Sequence, residues 1–433
     1  MLVNADFHVH SCFSMASSKD MLIKNMAPKS KLKGLQLLGT GDAFHPGWLN
    51  IIEESTTCKG DGIYTADDMD FVLTTEVEGK NRIHHLIIIP DICTARELSE
   101  KLVSKNKESD GRPRTKYSGA ELLEMVKEYD CLIGPAHAFT PWTGMYKSFD
   151  SIYDCYGKAP DFVELGLSAD TFMADTVAEL KDFPFLTNSD AHSPWPHRLG
   201  REFNQIELED MSYSSIKKAI KNKDIKANYG LVPNLGKYHM TACTKCYKLV
   251  DPLIAKENKM KCSCGGTIKK GVDFRISEIA DYDEPKHPDF RPKYVHLMPL
   301  AELISTVYDK GVTTKTVQGK WQNLIDNFGT EIDILINASI EEIAKTDPSI
   351  SPAIEAFRNK TIHITPGGGG KYGEISFDKK LYIFSSFANT NLAFALSSIK
   401  PVCTNVSSTS FSCIAFLVIS KFTFFIGLNS TFP

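Results

Sequence analysis

Nine side chains that bind divalent metals punctuate the first half of this 433-residue chain. They are His8 and His10 in DFHVH, Asp42 and His45 in LLGTGDAFH, Glu76 in FVLTTEVEG, His85 in HHLIII, His137 in LIGPAHAF, and Asp190 and His192 in FLTNSDAH. Imidazole and carboxylate suit zinc, manganese and iron. One metal takes three or four protein ligands, so nine point to two or three ions that share bridging carboxylates. That arrangement serves phosphoryl chemistry: it makes hydroxide from water, clamps a phosphate and stabilises a leaving oxygen.

The elements that must hold these groups are legible as apolar runs: LVNAD, LQLLGT, FVLTTE, LIIIP, CLIGP, FVELG and FPFLTN. Unbroken runs of this kind predict strands of a parallel sheet covered on both faces. Helical patterns lie between them at 119–129 and 174–183, and alternation of strand and helix predicts a βα-type barrel or sheet. Sites in βα barrels form at the carboxyl ends of the strands, where most of these residues fall; His85, which opens its run, is the exception.

Some assignments stay open within the set. Neighbours on a strand face opposite sides, so His84 and His85 cannot both join the site, and alternation favours His85. His45 lies in a loop and fits either a metal or a substrate phosphate. Glu164 and Asp170 fit supporting groups or solvated carboxylates. Phe139, Trp142, Tyr146 and Trp195 are candidates to line a pocket, with core packing the alternative for each.

The order of these clusters resembles the PHP superfamily of metal-dependent phosphoesterases. The strings GTGD, PAHAFTPWTG, ELGLSAD, TNSDAHSPWPHRLGREFN and ITPGGGGKYGEI are similar to those of the endonuclease Q family, over residues 1 to about 377. That resemblance implies a distorted seven-stranded βα barrel with up to three metals. It implies cleavage of DNA on the 5′ side of deaminated bases (uracil, hypoxanthine, xanthine) and abasic sites, leaving a 3′-hydroxyl and a 5′-phosphate. Metal-activated water would attack the phosphate. His137 and Asp190, with His197 and Arg198 to orient the phosphate, form the expected catalytic group. The ions expected are two or three of Zn, Mg or Mn. A small-molecule phosphatase of the same superfamily is the alternative.

The middle of the chain carries a second metal signature. Cys243 and Cys246 form CTKC, and Cys262 and Cys264 form CSC 16 residues beyond Cys246. Paired cysteines across a short polar hairpin predict a structural zinc ribbon, with CGGTIKKG as its knuckle turn. The whole chain carries −4, yet residues 213–275 hold 13 Lys and one Arg against four Asp and Glu, a net of +10. Such a patch attracts a polyanion, so double- or single-stranded DNA is the expected partner, with Lys217, Lys221, Lys269, Lys270 and Lys371 as contacts.

These signals divide the chain into four parts: a PHP-type domain at 1–230, the ribbon at 231–275, a mostly helical DNA-binding region at 276–377, and an atypical tail at 378–433. In the helical region Ser339 and Glu342 fit a capping box. TPGGGGKYG at 365–373 reads equally as a phosphate cradle built on free amides and Lys371 or as a linker, and it lacks the G-K-[ST] of a P-loop. The tail has no Asp or Glu after Leu381, and FSCIAFLVISKFTFFIGL is at the threshold length for a membrane helix. An aberrant terminus is the favoured reading, with no membrane contact unless the tail is genuine. The resemblance also implies a sliding clamp as partner, but no clear motif for one occurs here. Hydrophobic content of 42% and charge of 24% suit a globular enzyme, and scattered cysteines suit a reducing cytoplasm.

Overall fold

The computed structural model describes residues 1–377, together with two tail strands, and divides the chain into one compact unit at Met1–Asp378 and another at Lys379–Pro433. Each apolar run contains a strand: Leu2–Asp6, Leu37–Gly39, Met69–Glu78, His84–Ile89, Leu132–Pro135, Val163–Glu164 and Phe185–Leu186. The first three pair in parallel, with Ala5 opposite Leu37 and Leu37 opposite Asp70. The expectation of an all-parallel sheet fails beyond that point. Thr74 faces Ile88, and Ile87 faces Ile133, both in antiparallel register. Only residues 79–83 join the two strands of the first antiparallel pair, and a parallel return needs a crossover of roughly a dozen residues.

The reversal repositions the histidines. His84–Ile89 runs against its neighbours, so its first residues lie beside the carboxyl end of Met69–Glu78. A histidine that opens this run therefore sits at the same end of the sheet as Glu76. Val163–Glu164 and Phe185–Leu186 form a separate parallel pair, and a bridge from Val9 to Ala191 links the segments that follow Asp6 and Leu186.

Strands that the apolar-run criterion missed complete a mixed ten-stranded sheet. Phe203–Glu207 and Ile225–Gly230 add to one side, and Lys293–His296, from well beyond the cysteine segment, pairs in parallel with Ile225–Gly230. Asn and Gln interrupt the first two, and Lys and His bound the third, which hides them from a search for apolar runs. A second departure lies at 174–183. No single helix forms there; a short helix Thr171–Ala174 is followed by a 3-10 turn at Ala178–Asp182. Helix Gly119–Lys127 forms as expected, with Ser118 and Glu121 in a reciprocal capping box.

A smaller apolar cluster includes Val3, Phe7, Leu37, Leu86, Ile88, Leu132 and Phe162, together with Ile216 and Ile220 from helix Tyr213–Asn222. Tyr213 Oη donates to Asp130 O at 2.7 Å, just ahead of the strand Leu132–Pro135, so this helix covers the amino ends of the strands.

Beyond the cysteines, helices Leu300–Tyr308, Lys315–Phe328, Ile340–Thr346 and Ser351–Arg358 pack together, with Ser339 accepting from the Glu342 amide as the expected cap. A buried ion pair ties them to the first half: Lys33 Nζ donates to Glu331 Oε1 at 2.5 Å and to Pro196 O at 2.8 Å. In the tail, Ile414–Ile419 and Phe422–Gly427 pair as antiparallel strands; the rest of the 381–433 expectation lies outside the described residues. No helix among the described residues is long and apolar enough to cross a membrane.

Candidate metal centre

Six of the nine predicted residues converge where the strand ends meet. His8 and His10 follow Leu2–Asp6, Glu76 comes from the end of Met69–Glu78, His137 follows Leu132–Pro135, and Asp190 and His192 follow Phe185–Leu186. His10 Nε2 lies 3.2 Å from Asp190 Oδ1 and 3.5 Å from Glu76 Oε2. His8 Nε2 lies 3.7 Å from both carboxylates, and His192 Nε2 lies 3.4 Å from Asp190 Oδ1. Two donors about 2.1 Å from one ion stand roughly 3.0–3.4 Å apart, so the set suits shared metals. The buried Nε2 atoms of His8 and His10 have no hydrogen-bond partner, which is the second sign of fit.

His84, not His85, joins this cluster. Glu76 and Glu78 stand opposite Leu86 and His84 in the register, which puts His84 on their face and turns His85 away with Val77. His84 Nδ1 lies 2.6 Å from Glu76 Oε1, and His137 Nε2 lies 2.9 Å from the same oxygen. His85 instead bonds the Tyr156 hydroxyl at 2.6 Å, and burial with His84 beside it pushes its pKa down to about 3. Alternation was the right argument; the strand's register could not be read from it.

Asp42 and His45 also stand elsewhere. Asp42 sits behind His10, where its carboxylate accepts from the Ser11 amide at 2.7 Å and lies 3.1 Å from His10 Nδ1. It orients the imidazole rather than facing the cluster. His45 caps helix Pro46–Ser55: Nδ1 accepts from the Trp48 amide, and Nε2 lies 3.1 Å from Glu108 O, so both ring nitrogens are engaged. Asp170 caps Thr171–Ala174 and holds His296 at 3.0 Å.

Glu164 does for His8 what Asp42 does for His10. Both its oxygens lie 3.0 Å from His8 Nδ1, and Asn188 Nδ2 donates to it at 2.7 Å. The amides then run on: Asn204 Nδ2 donates to Asn188 Oδ1, and Asn228 Nδ2 to Asn204 Oδ1, each at 3.0 Å. Asn204→Leu should break this line at its centre and let Glu164 turn. We expect roughly 10–100-fold weaker Mn²⁺ affinity by calorimetry; unchanged affinity would mean that the line does not position His8.

The charges are tightly balanced. Burial alone would push the His8 and His10 imidazoles down, yet Glu164, Asp190 and Glu76 carry His8 up to about 10, while Asp190 and Asp42 carry His10 up to about 9. Against its own burial, Glu76 is held well below the usual carboxylate range by His84, Arg112 and His137. Asp190 is held down in the same way by His10 and His192. The backbones of Asp42, His137 and Asp190 adopt φ of 50°, 32° and 47°, a left-handed conformation costing about 1–3 kcal/mol each and concentrated at functional sites.

A cavity of about 870 Å³ opens over the cluster. Arg112, which no sequence signal marked, reaches it from a loop between elements, and its Nη1 donates to Glu76 Oε2 at 2.7 Å. Arg198 lines the cavity; His197 lines a neighbouring one, with its pKa pushed down to about 3 by burial and by Arg198 and Arg201. Trp142 stands at the wall, whereas Phe139 and Tyr146 stack on each other in the core. Trp195 lies under Lys29.

The four cysteine sulfurs gather within 4.8 Å of one another, with Ala242–Cys243 paired to Ile268–Lys269 beside them. A Cβ on Gly266 would meet Cys243 Sγ at 2.5 Å, so the knuckle needs glycine. The set fits one tetrahedral zinc. Cys243→Ser with Cys246→Ser should release one zinc per chain to a chromogenic chelator while the strand-end cluster keeps its ions; an unchanged zinc count would sink the assignment.

The glycine loop is neither cradle nor free linker. The amides of Gly367, Gly368, Gly370 and Gly373 already donate to Asn234, Lys371, Lys237 and Leu235 carbonyls. Gly369, at φ +67°, packs so close that a Cβ would lie 2.5 Å from Cys243 O. Lys371 pairs with Glu374 at 2.7 Å. The predicted basic track is likewise divided. Lys217 pairs with Asp130 and lies with Lys221 on the helix over the amino ends of the strands, away from the cluster. Lys270 pairs with Glu278, while Lys269 stacks 3.9 Å from the ring centre of Trp142, which stands at the cavity wall.

Residues 299–361 match the sequence model of the MJ0043 C-terminal domain. The chain is 57% identical over 265 residues to the uncharacterized protein MJ0043 of Methanocaldococcus jannaschii, covering 59% of this chain and 33% of that protein, so the match spans a third of that relative's length. It is 32% identical over 404 residues to the uncharacterized protein YqxK of Bacillus subtilis, covering 86% of this chain and 99% of that one. Two crystal structures superimpose closely. An endonuclease Q complex with a 27-mer duplex substrate carrying an abasic lesion at the active site gives a TM-score of 0.86 at 48% identity, covering 88% of this chain and 98% of that one. The lesion-specific endonuclease PfuEndoQ of Pyrococcus furiosus gives 0.83 at 46%, covering 92% and 100%.

Proposed function

Because this chain belongs to the endonuclease Q family, we propose that it is a metal-dependent DNA repair endonuclease that hydrolyses the phosphodiester 5′ of deaminated bases and abasic sites. The observation that carries the reading is the convergence of His8, His10, Glu76, Asp190 and His192 in one cluster, with His84 and His137 sharing Glu76, beneath a cavity that Asp190, His192, His84 and His137 line. We read the seven strands and the Val9–Ala191 bridge as a distorted βα barrel with this cluster at one end. Divalent ions bound there would supply activated hydroxide and neutralise phosphate charge. The chain's own part is to hold and orient. Asp42 and Glu164 fix the two imidazoles, Glu76 and Asp190 present oxygens between them, and Arg112 and Arg198 offer guanidinium forks to a phosphate in the cavity. A base inside a duplex must be turned out to reach such a site, and Trp142 offers a wall for it.

A phosphomonoester phosphatase is the less favoured reading, because the cavity carries more cationic wall than one small phosphate needs. DNA contacts then belong at the cavity rim. Lys217→Ala with Lys221→Ala should leave duplex affinity within about twofold, because both lie over the opposite end of the strands, whereas Lys269→Ala should weaken it and lower the salt slope by about one. The functional test incubates the full chain and Mn²⁺ or Mg²⁺ with labelled duplexes, each holding one uracil, hypoxanthine, xanthine or abasic site. Nicking confined to damaged duplexes is expected; equal nicking of undamaged DNA, or none of any, overturns the proposal.

A further inference from the structure

One wall of the cavity is built from three distant segments, of which the reaction as described uses only Arg198. Arg201 is buried, with Nε donating to Ser189 O at 2.9 Å, one residue before Asp190, and Nη1 donating to the Tyr372 hydroxyl at 3.2 Å. The Tyr372 ring has the Arg198 guanidinium 5.1 Å from its centre and Lys237 Nζ 5.8 Å from it. All four residues line the same cavity. Among the described residues, none of the three cations has a carboxylate within ion-pair distance. The carboxylates lining this cavity are Glu164 and Asp190, both committed to the cluster.

Glu302 lies near enough to feel Arg198 and Arg201, yet among the described residues no carboxylate pairs with any of the three, and cations gathered unpaired are costly unless an anion completes them. We infer that Arg198, Arg201, Lys237 and Tyr372 form a seat for a second phosphodiester, one that neighbours the scissile phosphate on the same strand. The inference rests on the nuclease reading and names what the site requires of its substrate. The seat is rigid. The glycine loop that carries Tyr372 is pinned at Gly370 and Gly373 to the segment that carries Lys237, and Arg201 is pinned beside the metal centre. Guanidinium forks match the two free oxygens of a phosphodiester, and the Tyr372 hydroxyl holds one fork in place. A substrate with one phosphate would leave the seat unfilled, so the enzyme should require a polynucleotide.

The test walks a single neutral methylphosphonate through the phosphates around an abasic site and reads duplex affinity by fluorescence anisotropy, without added Mg²⁺ or Mn²⁺. It uses the full wild-type chain and the Arg198→Ala/Lys237→Ala variant, with Tyr372→Phe as a milder change that keeps the ring. Wild type should lose roughly tenfold or more at one phosphate adjoining the scissile one, as expected for a charge-assisted contact. The double variant should lose less than about threefold there, and Tyr372→Phe should fall between. Equal losses in both proteins, or a loss confined to the scissile phosphate, would overturn the seat. Nicking is scored separately on unmodified duplex, so failure of the nuclease reading shows as binding without cleavage and is not confused with failure of the seat.

Discussion

Asp190→Asn is expected to slow nicking of an abasic duplex by about a thousandfold or more while duplex affinity stays within about threefold. Asp190 Oδ1 lies 3.2 Å from His10 Nε2 and 3.4 Å from His192 Nε2, and its left-handed backbone aims it between them. The amide keeps the size and loses the charge, so the three imidazoles lose the anion they share. The contacts proposed for DNA lie on other residues, which is why affinity should survive. Single-turnover rates and anisotropy on the same preparation check both halves. Near-normal nicking would remove Asp190 from the metal site; a parallel collapse of binding would make it a DNA contact or a folding residue instead.

The adjacent histidines should give opposite signatures. His84→Ala removes the group 2.6 Å from Glu76 Oε1 and should weaken Mn²⁺ affinity by roughly 10–100-fold, with a matching loss of rate and little change in thermal stability. His85→Ala cuts the bond to Tyr156 in a fully buried place and should cost about 2–4 kcal/mol of stability, with metal affinity nearly unchanged. Calorimetric titration and thermal melts on both variants decide it. If His85→Ala loses metal and His84→Ala melts early, the strand register is wrong by one residue.

Those two histidines also mark where the sequence stops being legible. Each of the seven apolar runs proved to hold a strand, because burial on both faces leaves a strong signature whatever the strand's direction. Direction and register leave none. The five-residue link at 79–83 forced an antiparallel return, and the register of that return, with Glu78 opposite His84, decided which histidine faces Glu76. His8, His10, Glu76, His137, Asp190 and His192 were legible because H-x-H and D-x-H at strand ends place metal donors together at short range. Asp42 was read as a ligand because a carboxylate behind an imidazole and one beside a metal are the same letter; only the Ser11 and His10 bonds distinguish them. His45 belonged to a helix cap, a role its neighbour Pro46 could have suggested. Arg112, Arg201, Lys237 and Tyr372 gather through tertiary packing over long separations, for which no spacing rule exists. Net charge misled as well: counting 213–275 as one patch joined Lys217 and Lys221, over one end of the strands, to Lys269, near the other.

Metal-dependent incision 5′ of a lesion is measured most directly by a single-turnover digest of a duplex with one abasic site, 5′-labelled on the damaged strand. The digest is run with Mn²⁺ and with excess chelator, and the product end is tested by polymerase extension. One labelled fragment is expected, ending at the phosphodiester 5′ of the lesion, bearing an extendable 3′-hydroxyl and formed only with metal. A fragment that cannot be extended, a cut on the 3′ side, or full activity in chelator would contradict metal-dependent 5′ incision.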